Sequence, residues 1–181
     1  YGIYAPNAPN LIAPEVFGGV GKESVEALKK LNVPGRIRPD IILVSTPHWT
    51  TSTFYAQGSA LPRQIYDFSG FPRKLYEVRY EPPGDPGLAR AIVEEGTRRH
   101  LDVEVTSEHG LDHGAWAPLL HIAPGAKIPV VPLSVTYLPP EDHIAWGEAI
   151  GQALTKTEKR VAFVATGSIT HRLARFAVSE G

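Results

Sequence analysis

Two unbroken apolar runs constrain this chain most: Asp40–Ser45 (DIILVS) and Arg160–Ala165 (RVAFVA). A strand that is apolar at nearly every position must be covered on both faces. Helical stretches alternate with these and weaker runs, which predicts an α/β fold: three layers, α/β/α, around a mixed, largely parallel sheet. Ile3–Ala5 reads as a weak first strand, and Pro47 is expected to stop the DIILVS strand. Lys22–Leu31 reads as a helix, with Val25, Leu28 and Leu31 at helical spacing and Pro34-Gly35 closing it. Lys74–Tyr80 alternates and reads as a strand. Pro86–His100 reads as a helix with Asp85 as N-cap, followed by a short strand at Leu101–Val105. Ile128–Val135 is β-branched, but Pro129 and Pro132 point to an edge or bulged strand that could pair with a second copy. Pro140–Thr155 reads as a long helix with Ile144, Ala145, Ala149, Ala153 and Leu154 facing inward.

The 181 residues read as one domain, 1–181. With 18 basic and 19 acidic side chains, net charge −1 and no basic run, nothing favours nucleic acid or an anionic membrane. No apolar run approaches the ~20 residues of a membrane helix. The absence of cysteine excludes disulfides, thiolate metal sites and a cysteine nucleophile, and fits a cytoplasmic setting.

Histidine therefore carries the chemical interest. Of seven, His100 and His143 read as surface residues, His121 as near-core, and His109, in a polar loop, as ambiguous. His48 follows the DIILVS strand and precedes Trp49. His113 sits in Gly110–Trp116 (GLDHGAW), and His171 follows Gly167-Ser168 after RVAFVA. In open α/β sheets, ligands bind beyond the carboxyl ends of strands, where two of these three are expected.

Five segments occurring in order, Thr46–Trp49 (TPHW), Tyr66–Pro72 (YDFSGFP), Gly110–Leu119 (GLDHGAWAPL), Ile128–Val135 (IPVVPLSV) and Gly167–Leu173 (GSITHRL), resemble the class III extradiol ring-cleavage dioxygenases. That superfamily includes the catalytic subunit of protocatechuate 4,5-dioxygenase, and YDFSGFP and GLDHGAW lean toward its 4,5-DOPA dioxygenase-like branch. The resemblance implies an α/β domain that uses Fe(II), with zinc as an alternative, to open a catechol-type aromatic diol with O₂. An oligomer or a partner subunit is compatible with it. By the same resemblance His48 matches the second metal histidine. His113 matches a histidine that handles substrate or oxygen, and His171 the acid/base that takes the catechol proton. Histidine suits that step because its pKa lies near neutrality.

Two departures qualify this reading. The family's first metal histidine follows the first strand, where this chain has Asn7, and amide oxygen is a poorer ligand than imidazole. The family's third ligand lies beyond the HRL motif, and Gly181 precedes any such segment, which predicts a truncated domain. Asp112 and Glu15 are acids with no motif behind them as ligands. A non-catalytic member of the same fold is therefore a second reading, and a zinc hydrolase built on His48 and His113 a third, although no H-E-x-x-H pattern occurs. Trp49, Tyr66, Phe68 and Trp116 are candidates for an apolar wall against a flat ring, and Arg63, Arg73 and Arg172 for pairing a substrate carboxylate.

Overall fold

In a computed structural model, which describes residues 1–168, a six-stranded sheet runs in the order β1-β6-β2-β5-β3-β4. The strands are β1 (Gly2–Ala5), β2 (Ile41–Thr51), β3 (Phe54–Gln57), β4 (Val103–Thr106), β5 (Val130–Thr136) and β6 (Val161–Thr166). Every pairing is parallel except β3 with β5. The helices are α1 (Lys22–Leu31), α2 (Val33–Arg36), α3 (Pro86–Arg98), α4 (His113–Ile122) and α5 (Pro140–Thr155). Asp85 caps α3 as expected, accepting from the Leu88 N–H at 2.9 Å.

The two runs read as doubly buried both lie inside the sheet: β2 is fully covered on both faces over Ile41–Val44, and β6 fully on one and partly on the other, where Val161 and Phe163 pack against the second core. Ile42, Val44, Ala162 and Val164 face one core with Val25, Leu28, Trp116 and Leu119 of α1 and α4. Ile41 and Leu43 face the other with Leu88, Ile92, Trp146 and Ile150 of α3 and α5. This is the three-layer α/β/α arrangement around a mixed sheet.

Five local expectations fail in whole or in part, for identifiable reasons. Pro47 does not stop β2, which continues to Thr51. Its missing N–H instead breaks the ladder: pairing with β6 ends at Ser45, and the register with β5 shifts between Ser45 and Thr50. Lys74–Tyr80 is not a strand; Arg73–Glu77 is a 3₁₀ turn, with Leu75 alone buried in it. Tyr80 N–H bonds the Gln64 side chain at 2.9 Å rather than a neighbouring strand, so the alternation reflects two core anchors and no ladder. Of the edge or bulged strand expected at Ile128–Val135, the edge is wrong, since β5 lies inside the sheet and the edges among the described strands are β1 and β4, whereas its ladder with β2 does carry a register irregularity. Val130 N–H points away from β2 to the Pro83 carbonyl, so alternation puts the Pro132 ring on that same side. There β5 meets β3 through a single bridge, Ala56 with Leu133, and the missing donor breaks no continuous ladder. On α5, Ile144 is 63% exposed, and Trp146 takes the inward place. His143, read as a surface residue, is half-buried against Phe54, and its Nε2 accepts from the Thr136 N–H at 3.3 Å. No helix among the described residues is long and apolar enough to cross a membrane.

Candidate metal centre

The break in β2 re-aims a short segment at the carboxyl end of the sheet. Residues 46–49 lie between the last pairing with β6 and the resumed pairing with β5. His48 N–H, lost to the ladder, donates to the Thr46 hydroxyl at 3.1 Å. Thr46 in turn donates to Asp112 Oδ1 at 3.0 Å. Asp112 is the N-cap of α4, accepting from the Ala115 N–H at 3.1 Å, and His113 is that helix's first residue.

A third segment closes on this junction. Ile65 N–H donates to the Leu111 carbonyl, and Leu111 N–H to the Arg63 carbonyl, at 2.8 and 2.7 Å. The approach is close enough that a side chain on Gly110 would sit 1.9 Å from the Arg63 carbonyl oxygen. The loop then delivers Asp67, whose Oδ1 accepts the His113 N–H at 2.7 Å. The YDFSGFP and GLDHG segments thus meet in space through backbone pairing and one carboxylate.

Three ligand-type side chains converge there: donor atoms of His48, Asp67 and His113 all lie within 4.8 Å of one another. Asp67 Oδ2 is 3.0 Å from His48 Nδ1 and 2.9 Å from His113 Nδ1, and the imidazole centroids are 4.1 Å apart. His113 Nδ1 is buried and, despite that short distance, lacks a hydrogen bond of acceptable geometry. His48 and Asp67 side chains are 33% and 25% exposed, so the cluster opens to solvent on one side. Phe68 presents its ring edge-on to His113 at 5.3 Å.

The electrostatics follow from the packing. Burial raises the Asp67 pKa, but the nearby His113 and His48 rings and the His113 N–H outweigh it and hold the carboxyl well below its usual range. His48 is raised from its ordinary 6.5, first by Asp67 as acceptor, against burial, then by the charges of Asp67 and Asp112. Both acids also lie at the amino end of α4, where negative charge is favoured.

Two histidines and one carboxylate that leave one side open form a donor set suited to a divalent transition metal. The orphaned Nδ1 of His113 is the observation that fits such an ion. Sequence reasoning missed Asp67, although it lies inside a quoted motif; an acid flanked by aromatics was the available signal.

The other sequence candidates fall as follows. Asn7 is 6% exposed, two residues past the carboxyl end of β1, and its amide oxygen is 3.5 Å from the Ser168 hydroxyl. His171 and Arg172 lie outside the described residues. Asp112 braces the histidines rather than joining them, and Glu15 is an exposed partner of Lys74. Arg73 pairs with Glu77 at the surface, and Arg63 is exposed. Trp116 is fully buried, with Tyr66 and Phe68 packed around it, whereas Trp49 stacks on His109.

The family described as the catalytic LigB subunit of aromatic ring-opening dioxygenase matches residues 19–179. This chain belongs to that family. Among curated members it is 37% identical over 136 residues to a 4,5-DOPA dioxygenase extradiol of Beta vulgaris, covering 74% of this chain and 50% of the relative. It is 36% identical over 138 residues to the enzyme of the same name from Escherichia coli K12, covering 75% and 49%. An uncharacterized Escherichia coli K12 protein of known crystal structure superposes with TM-score 0.64 at 28% identity, covering 83% of this chain and 55% of that one. The chain thus spans about half the length of these LigB-family relatives.

Proposed function

We propose that this LigB-family chain acts in extradiol cleavage of a catechol-type ring, with both atoms of O₂ entering the product, and that His48, Asp67 and His113 hold its metal. The observation that carries the reading is the meeting of two imidazoles and a carboxylate within 4.8 Å, one ring nitrogen buried without a hydrogen bond. Fe(II) at such a face supplies open positions for adjacent hydroxyls and O₂. The protein's own residues do the remainder. Asp67 orients the His48 ring through Nδ1 and holds His113 through its backbone N–H, and Phe68 supplies an apolar surface beside them. His171 keeps the acid/base role that the family resemblance gives it, whereas His113, which the resemblance matches to substrate or oxygen handling, is read as a metal ligand because it meets His48 and Asp67.

The test is anaerobic loading with Fe(II), then metal analysis and oxygen-electrode measurement with a simple catechol. One iron per chain with catechol-dependent O₂ uptake is expected. A metal-free, inert protein would instead favour the non-catalytic reading, and zinc-dependent ester hydrolysis without O₂ uptake the hydrolase. Metal affinity is expected to climb with pH through the raised His48 pKa and to level off above it, because the ion must displace the proton that the Asp67 carboxylate stabilises on His48. The same pairing stabilises the metal-free fold fully below the unfolded histidine pKa of ~6.5 and is lost as pH rises through the folded value.

Asn7 is the proposed remnant of the family's first metal histidine. Asn7→His is expected to tighten Zn(II) binding ~10–100-fold, the size of change seen when the support of a coordination contact is altered. Calorimetric titration of both forms decides it, and equal affinities would remove Asn7 from the site.

A further inference from the structure

We propose that His109 is a positioning residue for the His48–His113 pair, acting through Asp112 without touching the metal ligands. The inference rests on the metal-holding reading above.

Asp112 is 1% exposed, and its carboxylate reaches both histidines indirectly. Through Oδ1 it caps the helix that begins with His113 and orients the Thr46 hydroxyl that receives the His48 N–H. Oδ2 has one partner among the described residues, His109 Nε2 at 3.2 Å. A carboxylate only accepts, so Nε2 carries the proton of this bond. Without it, Oδ2 is a buried, charged oxygen with no donor, which is costly enough to move the carboxylate.

His109 has a second grip on the same segment. Its ring stacks on buried Trp49 at 4.4 Å with planes 11° apart. His48 is therefore bracketed: residue 46 is held through Asp112, and residue 49 by the stack. The bulged segment has left the sheet ladder on the β6 side, so side chains must supply the rigidity that backbone pairing no longer gives.

The test titrates Co(II) into wild type, His109→Phe and His109→Gln, followed by visible absorption and melting temperature. Phenylalanine keeps the stack and removes the donor, whereas glutamine returns a donor and loses the stack. His109→Phe is expected to weaken Co(II) binding at least ~10-fold and to change the absorption envelope. His109→Gln is expected to recover part of both at an equal or lower melting temperature. Wild-type affinity and spectrum in His109→Phe would overturn the inference. So would losses in both variants that simply follow melting temperature. If wild type binds no Co(II), the metal-holding reading fails visibly in the unmutated protein, and the inference falls with it. Should His109→Phe not fold, His109→Asn, too short to reach Asp112, takes its place with the same expected weakening.

Discussion

Asp67→Asn is expected to weaken metal binding beyond ~100-fold, more than the loss of a supporting contact costs, because it removes the anionic member of the ligand set. Asparagine keeps the shape, and its amide oxygen can still accept the His113 N–H now held at 2.7 Å. The fold should therefore survive, and the loss should be specific. A second readout follows from charge. With the carboxylate gone, the acceptor that holds the His48 pKa up disappears, and that imidazole should titrate lower than in wild type. Histidine ring resonances followed by NMR against pH report this in the metal-free protein. The stability difference from wild type should also depend on pH. A depressed carboxyl contributes fully above its unfolded pKa of ~3.9 and loses that contribution as pH falls through its folded value. The variant should thus be less stable than wild type at neutral pH and approach it in strong acid. Unchanged affinity for Zn(II) or Co(II) would exclude Asp67 as a ligand.

Gly114→Ala is expected to destabilise the protein by ~1–3 kcal/mol and to damage metal binding as well. A Cβ there would sit 2.4 Å from Thr46 Oγ1, 2.5 Å from His48 Cδ2 and 3.1 Å from Asp112 Oδ1. Alanine is the better helix former by ~1 kcal/mol, so propensity alone predicts a gain. Packing wins because Thr46 and Asp112 are buried and mutually bonded, so neither moves without breaking that bond. Relief comes from turning the His48 ring aside or from moving α4 off β2, and either separates His48 from His113. Urea denaturation with parallel metal titration checks both effects, and a stabilised variant with intact binding would show that the junction gives way without cost.

The layers of this fold were legible because burial on both faces writes itself as continuous apolar sequence at Ile41–Val44 and Val161–Ala165. The helix Lys22–Leu31 was legible through its 3.6-residue period, and α5 through its limits although not its inner face. What escaped was set by partners distant in sequence. Pro132 suits an edge until its missing donor is found to face a seam already reduced to one bridge. Lys74–Tyr80 alternates like a strand, but among the described residues no strand pairs with it. At the site, His48 and His113 stood out as residue types in suggestive company. Asp67 did not, since its role depends on the Arg63–Ile65 backbone pairing with Leu111 more than forty residues away. His109 was ambiguous for the same reason: neither Asp112 nor Trp49 identifies itself as its neighbour.

The seam between β5 and β3 has a consequence for how the sheet breathes. Besides the bridge of Ala56 with Leu133, a side chain does the stitching: Tyr55 N–H donates to the Ser134 hydroxyl at 2.8 Å. Beyond it, β3 and β4 pair with each other over four residues. The sheet is thus a four-stranded plate with a two-stranded flap hung on a serine hinge, and amide protons of the flap should exchange through openings well below the global unfolding free energy. His109 follows directly from the flap's outer strand. Whatever loosens that hinge disturbs the clamp behind His48 together with the core to which Phe54, Ala56 and Val103 belong, and leaves the core on the α1–α4 side to respond later.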